Sequence, residues 1–316
     1  MLLKIAVASF LFSSVAARSV EKAAYSPRAT HPFKSLVAYG DELSDNGNGS
    51  FAHGITGDPA NVYGFGTWTN GPVAVSYLAD LLGIPLTDYA FGGCCGGGSF
   101  GATFDTAYTK SPAGATDMIS QITNYTASGS KGVESSLQLL WFGQNDLSMH
   151  TDAFWLGDPN NAKFSNDAAA KITAQVKNLL DLGAPHVMVA NIYPKHLAPV
   201  TSKYLCGTNT GCITTWGRVI MQANAAIKKS LEEFGNKVIY YDVFSFMMQI
   251  LNDPAGYGFT RPLNQFCDGD ETAQWDDCMI KGNANQYFWM NFIQPTTAVH
   301  QLIAKDMKKT TDSHFA

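Results

Sequence analysis

A three-layer α/β/α architecture built on a parallel sheet is the fold class that the sequence predicts, on three observations. Short apolar, β-prone runs recur along the chain and alternate with longer segments of helical spacing. The short runs are apolar throughout rather than alternating in polarity, as expected of strands covered on both faces. No internal repeat and no linker interrupts them, so residues 34–316 are read as one domain, after a leader over 1–17 and an irregular polar arm over 18–33.

The elements follow in order. The first strand is expected over about Leu36–Tyr39, and a Gly/Asn-rich loop runs from its end to Gly66. Pro72 then introduces a helix over Val73–Leu82, with apolar residues at Val73, Val75, Tyr77, Leu78, Leu81 and Leu82. Leu86–Phe91 is a short strand running into the glycine cluster Gly92–Gly98. Such a cluster is either a flexible loop or a place where backbone approaches a ligand; no Gly-Lys-Ser/Thr follows to make it a phosphate cradle. A helix is expected around Asp117–Thr126, a buried strand at Leu137–Phe142 and a helix over Asn166–Leu182. His186–Ile192 and Lys237–Tyr241 are strands on either side of a long helix, Thr214–Phe234, and Thr296–Lys308 closes the chain as a helix. Thr151–Ser165 and the cysteine-bearing stretch 253–286 are expected as insertions over the site face.

Composition narrows the function classes. The net charge of -5, with no basic run, argues against a nucleic-acid partner. Lys4, the apolar run from Ile5 to Val15 and the small residues Ala16 and Ala17 form a secretory leader; the run is short for a membrane span, and no other segment approaches that length. A secreted, extracellular and monomeric chain is therefore expected. Six cysteines suit that destination. Local pairing is expected for Cys206–Cys212 and Cys267–Cys278, while the adjacent Cys94 and Cys95 admit either a strained vicinal bridge or two thiols. No Cys-x-x-Cys spacing or nearby histidine supports a metal, and no cofactor is implied. The sequons at Asn48 and Asn124 are candidate glycosylation sites, the first close enough to the first turn to crowd a pocket.

Chemistry concentrates where the first strand breaks into Gly40-Asp41-Glu42-Leu43-Ser44-Asp45. Polar turns at strand carboxyl ends are where α/β sheets collect ligands. Three further blocks follow in order: Gly66–Pro72, Asp88–Gly93 and Gly143-Gln144-Asn145-Asp146, with Pro295-Thr296 near the end. The ensemble resembles the SGNH/GDSL ester hydrolases, in particular their secreted fungal carbohydrate-acetylesterase branch, over nearly the whole mature chain. The resemblance implies the SGNH hydrolase fold with a flavodoxin-like parallel sheet. It also implies an oxyanion hole contributed by the Gly93 amide and the Asn145 carboxamide.

The resemblance implies a catalytic triad as well, and there the chain departs from it. Glu42 stands where the family has its nucleophilic serine, and with Pro295-Thr296 setting the register, Asn291 and Gln294 stand at the aspartate and histidine positions. Ester hydrolysis by this route needs a hydroxyl, a base to take its proton and a group to orient the base. Glu42 has no hydroxyl, Gln294 has no usable pKa, and Asn291 has no charge with which to stabilise an imidazolium. In a serine protease, loss of the triad costs about 10⁶ in kcat, roughly 8 kcal/mol. The chain is thus expected to be an inactive homologue that binds a carbohydrate, an acyl ester or a protein partner.

Two alternatives remain open on sequence: an ester hydrolase using substitute residues, and a carboxylate hydrolase in which Glu42 acts opposite a second carboxyl. Ser44 reads as a turn hydroxyl, His300 as satisfied by a local hydrogen bond, and His150, His186 and His196 as surface or satisfied histidines rather than bases. Asp41 reads as tied into its own turn. Glu42 is expected to reach the Gly93 and Asn145 donors and fill the hole, which would lower its pKa. Trp68, Phe100, Trp141, Trp155 and Trp289 are candidates for a sugar-binding cleft, core packing being the more ordinary role for each.

Overall fold

A computed structural model of the protein describes residues 31–52, 54, 63, 65–93, 101–109, 116–150, 159–207, 209–269 and 272–316. The leader, most of the arm, the Cys94–Cys95 pair, Phe100 and Trp155 lie outside the described residues.

Five strands, β1 (Ser35–Gly40), β2 (Leu86–Asp88), β3 (Ser136–Trp141), β4 (His186–Ala190) and β5 (Val238–Tyr241), form one sheet in the order β2-β1-β3-β4-β5. Every pairing is parallel, with Leu36 opposite Leu86 and Leu137, and Trp141 opposite Ala190. This is the flavodoxin-like order, and all five strands fall on the predicted apolar runs.

The helices are α1 (Gly49–Ala52), α2 (Ala74–Leu82), α3 (Thr106–Thr109), α4 (Met118–Ala127), α5 (Gln144–His150), α6 (Pro159–Asp181), α7 (Thr210–Leu231), α8 (Val243–Asn252), α9 (Thr272–Trp275) and α10 (Thr297–His314). Alternate strand residues feed two cores. Leu36, Ala38, Leu139 and Met188 pack against α2, α8 and α10 on one face. Val37, Tyr39, Leu140 and Val189 pack against α4, α6 and α7 on the other. A run apolar at every position is what serves two buried faces at once.

Several elements differ from expectation, among them α5 at the third block, where no helix was expected, and α10, which runs on to His314 rather than Lys308. α8 has no counterpart in the sequence reading, although Val243, Met247, Ile250 and Leu251 are buried and Ser245, Gln249 and Asn252 exposed at helical spacing; its start is marked by Asp242, whose carboxylate accepts from the Ser245 amide at 3.0 Å. α7 starts earlier than predicted, because Asn209 caps it through the Cys212 amide. α6 begins at Pro159, inside the segment read as an insertion. The arm also ends sooner than residue 33: Phe33 is buried in the first core, and the His31 ring bonds the Leu82 carbonyl at 3.1 Å.

Both locally paired disulfides are present, Cys206–Cys212 and Cys267–Cys278. The second sits in a small core of its own with Tyr287 and Met290, which anchors the 253–286 insertion beside the last block. Among the described residues no helix is long and apolar enough to cross a membrane, and no cluster of histidine, cysteine and carboxylate side chains could hold a metal ion.

Candidate functional site

The site begins where β1 ends. Gly40 must be glycine, because a Cβ there would lie 2.8 Å from the Ser44 side chain and 3.0 Å from the Trp141 carbonyl. Gln121 of α4 clamps the same residue, accepting from its amide at 3.0 Å and donating to its carbonyl at 2.8 Å. The chain then turns tightly, with the amides of Ser44 and Asp45 both bonded to the Asp41 carbonyl at 3.0 Å. As the sequence suggested, Asp41 Oδ1 accepts from the Leu43 amide in its own turn.

Asp45 organises the surrounding loops. Its Oδ1 accepts from the amides of Gly47 (3.0 Å) and Asn48 (2.7 Å), and its Oδ2 from the amides of Ser50 (2.7 Å) and Gly92 (2.9 Å) and the Trp68 indole (3.0 Å). Three separate chain segments thus converge on one fully buried carboxylate. Sequence reasoning did not single out Asp45. The donors at 68 and 92 are brought to it only by the fold.

Glu42 is 4% exposed, and its Oε2 accepts from Asn145 Nδ2 at 3.0 Å. Asn145 comes from the start of α5, just past β3, and also donates to the Ala102 carbonyl at 3.2 Å. The two residues therefore meet across the gap between β1 and β3, the topological switch point of this sheet order. Behind them runs Gly101, where a Cβ would stand 1.9 Å from Glu42 Oε2 and 2.8 Å from Asn145 Nδ2. Gly93 is buried, but its amide makes no hydrogen bond to Glu42, and Gly92 beside it is held by Asp45. The expected two-donor capture of Glu42 thus reduces to one donor, Asn145.

The expected fall in the Glu42 pKa is reversed. Burial pushes it up by more than the Asn145 bond pulls it down. Asp41 is pushed up further, first by burial and then by the adjacent Glu42 charge. The nearby cation is Lys195, itself 3% exposed, whose Nζ donates to the Gln144 carbonyl at 2.8 Å and Ser148 Oγ at 2.7 Å. Burial brings Lys195 down to about 8 against the pull of Glu42, Asp41 and Asp146. Asp146, which accepts from the Phe104 amide at 2.9 Å, is pushed up by burial to about 8.

These shifts set a pH dependence. Between its unfolded value near 4 and about 8, folded Asp146 keeps a proton that the unfolded chain has lost, so its contribution to stability falls as pH rises through that window. From about 8 towards its ordinary value, folded Lys195 gives up a proton that the unfolded chain keeps, and that contribution rises. Asp146→Asn is expected to flatten the decline between pH 4 and 8 by up to about 1.4 kcal/mol per pH unit, read from urea midpoints. An unchanged slope would remove Asp146 from the account.

Around the last block, Asn291 is a turn former. Its Oδ1 accepts from the amides of Ile293 (2.9 Å) and Gln294 (2.8 Å), and its Nδ2 donates to the Trp68 carbonyl (3.3 Å) and the Tyr63 hydroxyl (3.2 Å), which in turn donates to Asp268 at 2.8 Å. Gln294 is 1% exposed, and both polar atoms of its carboxamide lack a partner among the described residues. No hydrogen bond connects Glu42 to the Gln294 carboxamide, or that carboxamide to the Asn291 side chain, which meets only the Gln294 backbone amide. The three residues aligned with the triad are thus buried without forming a hydrogen-bonded relay.

Among the described residues, Ser44, His186, His196 and His300 make no hydrogen bond to Glu42. Ser44 is buried with its hydroxyl unpartnered, packed on Gly40 rather than capping the turn. His300 Nδ1 accepts from the Ala74 amide at 3.2 Å, a contact across the fold rather than a local one, and burial holds its pKa near 3. His196 stacks on Phe244 with its pKa pushed down to about 4, and His186 lies among Phe33, His314 and Phe315. Of the aromatic residues proposed for a cleft, Trp68, Trp141 and Trp289 are core, at 6%, 1% and 0% exposed.

Gly101 allows a direct check of the packing. Gly101→Ala is expected to cost about 1–3 kcal/mol by overpacking against the Glu42 carboxylate, and Glu42→Ala in the same chain is expected to recover most of that loss. Strictly additive effects in urea denaturation would place the clash elsewhere.

A doubly wound α/β protein with buried polar groups gathered at the β1/β3 switch point is the class that this fold and site define. Within that class the sequence matches the GDSL-like Lipase/Acylhydrolase family over residues 36–307, and the chain belongs to that family. It is similar to GDSL esterase/lipase At2g04570 of Arabidopsis thaliana, 22% identical over 331 residues that cover 89% of this chain and 92% of that protein. It is also similar to GDSL esterase/lipase EXL4 of the same plant, 24% identical with 87% and 90% covered. Among solved structures, the acetylxylan esterase Axe2 of Geobacillus stearothermophilus aligns with a TM-score of 0.44 at 13% identity, covering 88% of this chain and 94% of that one.

Proposed function

We propose that this chain is a secreted, single-domain member of the family that has lost ester hydrolysis and acts by binding a carbohydrate, an acyl ester or a protein partner. The observation that carries this reading is the Glu42 carboxyl, buried at the end of β1 and bonded to Asn145. In the alignment that the motifs suggest, a carboxylate replaces the nucleophile and engages the carboxamide that would stabilise an acyl oxyanion. An incoming carbonyl oxygen would meet that donor already occupied, beside a group that cannot attack.

Two further features support the reading. Asn291 and Gln294 supply neither proton transfer nor charge, and the buried histidines are held neutral and turned elsewhere. The carboxylate alternative needs two acids on opposite sides of a bond, whereas Asp41 is adjacent to Glu42 and bonded into its own turn. For a secreted chain the two sequons also differ. Asn48 Nδ2 is engaged by the carbonyls of Asp88 (2.9 Å) and Ala90 (3.0 Å), whereas Asn124 is exposed on α4, which makes Asn124 the better glycan acceptor.

Steady-state hydrolysis of p-nitrophenyl acetate by the purified secreted chain tests the proposal. Turnover indistinguishable from that of the heat-denatured protein is expected. A kcat in the ordinary enzymatic range, on the order of 10 s⁻¹, would overturn it.

A further inference from the structure

A second concavity lies apart from Glu42, Asn145, Asn291 and Gln294. It is a cavity of about 390 Å³ between α2, the start of α10 and the 253–286 insertion. Tyr77 and Tyr257 supply its aromatic surface over a floor at the buried Phe259, and Asn285, Thr297 and Gln301 its polar groups. Phe259 is anchored in the core, edge-on to Phe288 at 5.5 Å, while Tyr257 remains 39% exposed.

The lining carries no ionisable acid or base of the ordinary range, in a chain that holds 21 basic and 26 acidic residues. That excludes recognition of phosphates, carboxylates or cations by charge pairing. The remaining chemistry is aromatic face plus carboxamide and hydroxyl. Thr297 Oγ1 donates to the Pro72 carbonyl at 2.8 Å, so the Tyr77 hydroxyl, 2.9 Å from it, is the donor between them and keeps its own lone pairs for a ligand. The side-chain carboxamides of Asn285 and Gln301 form no hydrogen bond among the described residues, which leaves both offering donors and acceptors. The wall is pre-formed: Thr297 is pinned through its amide to Asn70 Oδ1 at 2.9 Å, and α2 packs along α10 in the core.

We infer that this cavity binds a neutral saccharide of one or two rings. A sugar ring offers an apolar C–H face to an aromatic side chain and a rim of hydroxyls that both donate and accept, which is what carboxamides pair with at two points. Tyrosine presents a large rigid contact area with a polar tip at low entropic cost. The site does not depend on whether the Glu42 centre is silent, since none of the residues there lines it.

Titration of isotopically labelled protein with cellobiose, xylobiose, maltose and N,N′-diacetylchitobiose, followed by amide chemical shifts, tests the inference. At least one of these is expected to give saturable shifts at Tyr257, Ala298 and Gln301 at millimolar concentration, and glucuronate none. Tyr257→Ala is expected to weaken that binding at least about tenfold, and Gln301→Ala to weaken it as well, with the rest of the spectrum unchanged. Silence with all four sugars, shifts elsewhere only, or affinity unaltered in both folded variants would each overturn the assignment.

Discussion

Ester hydrolysis at least about 10³-fold above wild type is the expected result of Glu42→Ser, Asn291→Asp and Gln294→His combined, assayed on p-nitrophenyl acetate. The three substitutions place a hydroxyl at the end of β1, and an orienting carboxylate and an imidazole in the turn at 291–294. Asn291 Oδ1 takes the amides of Ile293 and Gln294, and an aspartate oxygen can take the same two. Replacing Glu42 also frees Asn145 Nδ2 to meet a developing oxyanion. Glu42→Ser alone is expected to restore almost nothing, because members of a triad act as a unit. Asn291→Asp carries a cost, since the Trp68 carbonyl, now facing a donor, would face an acceptor. Failure of the folded triple variant to exceed wild type would mean that the scaffold around these positions has itself diverged.

The second large effect is structural. Asp45→Ala is expected to destabilise the chain by at least about 3 kcal/mol, read from urea or thermal unfolding, because it orphans five donors at once in a buried setting. Asp45→Asn should lose less, since one oxygen still accepts. If Asp45→Ala unfolds within about 0.5 kcal/mol of wild type, the loops carrying Trp68 and Gly92 are held by something other than this carboxylate.

How much of this was legible in the sequence depended on whether the cause was local. Four of the strands could be read because largely apolar runs have few other uses in a folded chain, while β2, Leu86-Thr87-Asp88, was marked by the glycine cluster that follows it; the order of blocks indicated which turns would face one another. α8 was legible and was passed over: Ser245, Gln249 and Asn252 form a polar stripe opposite Val243, Met247, Ile250 and Leu251, and Asp242 caps it. The Glu42–Asn145 contact was legible through the block pattern, while the direction of the Glu42 pKa was not. Hydrogen bonding to a carboxylate lowers its pKa, but how deeply the group lies depends on Gly101 and Ala102 closing over it, and nothing in residues 40–45 announces that. The Asp45 hub and the Lys195 contact with the α5 segment were invisible for the same reason. Three of the Asp45 donors are local, but the two that join it to other segments, Trp68 and Gly92, lie 23 and 47 residues away, and Ser148 and Gln144 lie 47 and 51 residues from Lys195.

The proposal rests on what stands at the end of β1: a buried acid on the Asn145 carboxamide, with no hydroxyl bonded to it among the described residues. Intact mass of the purified native chain after exposure to a fluorophosphonate, which phosphonylates only an activated serine, tests this most directly. The expected spectrum shows the unmodified mass alone. A stoichiometric adduct on Ser44, or on any other serine of the folded chain, would contradict it.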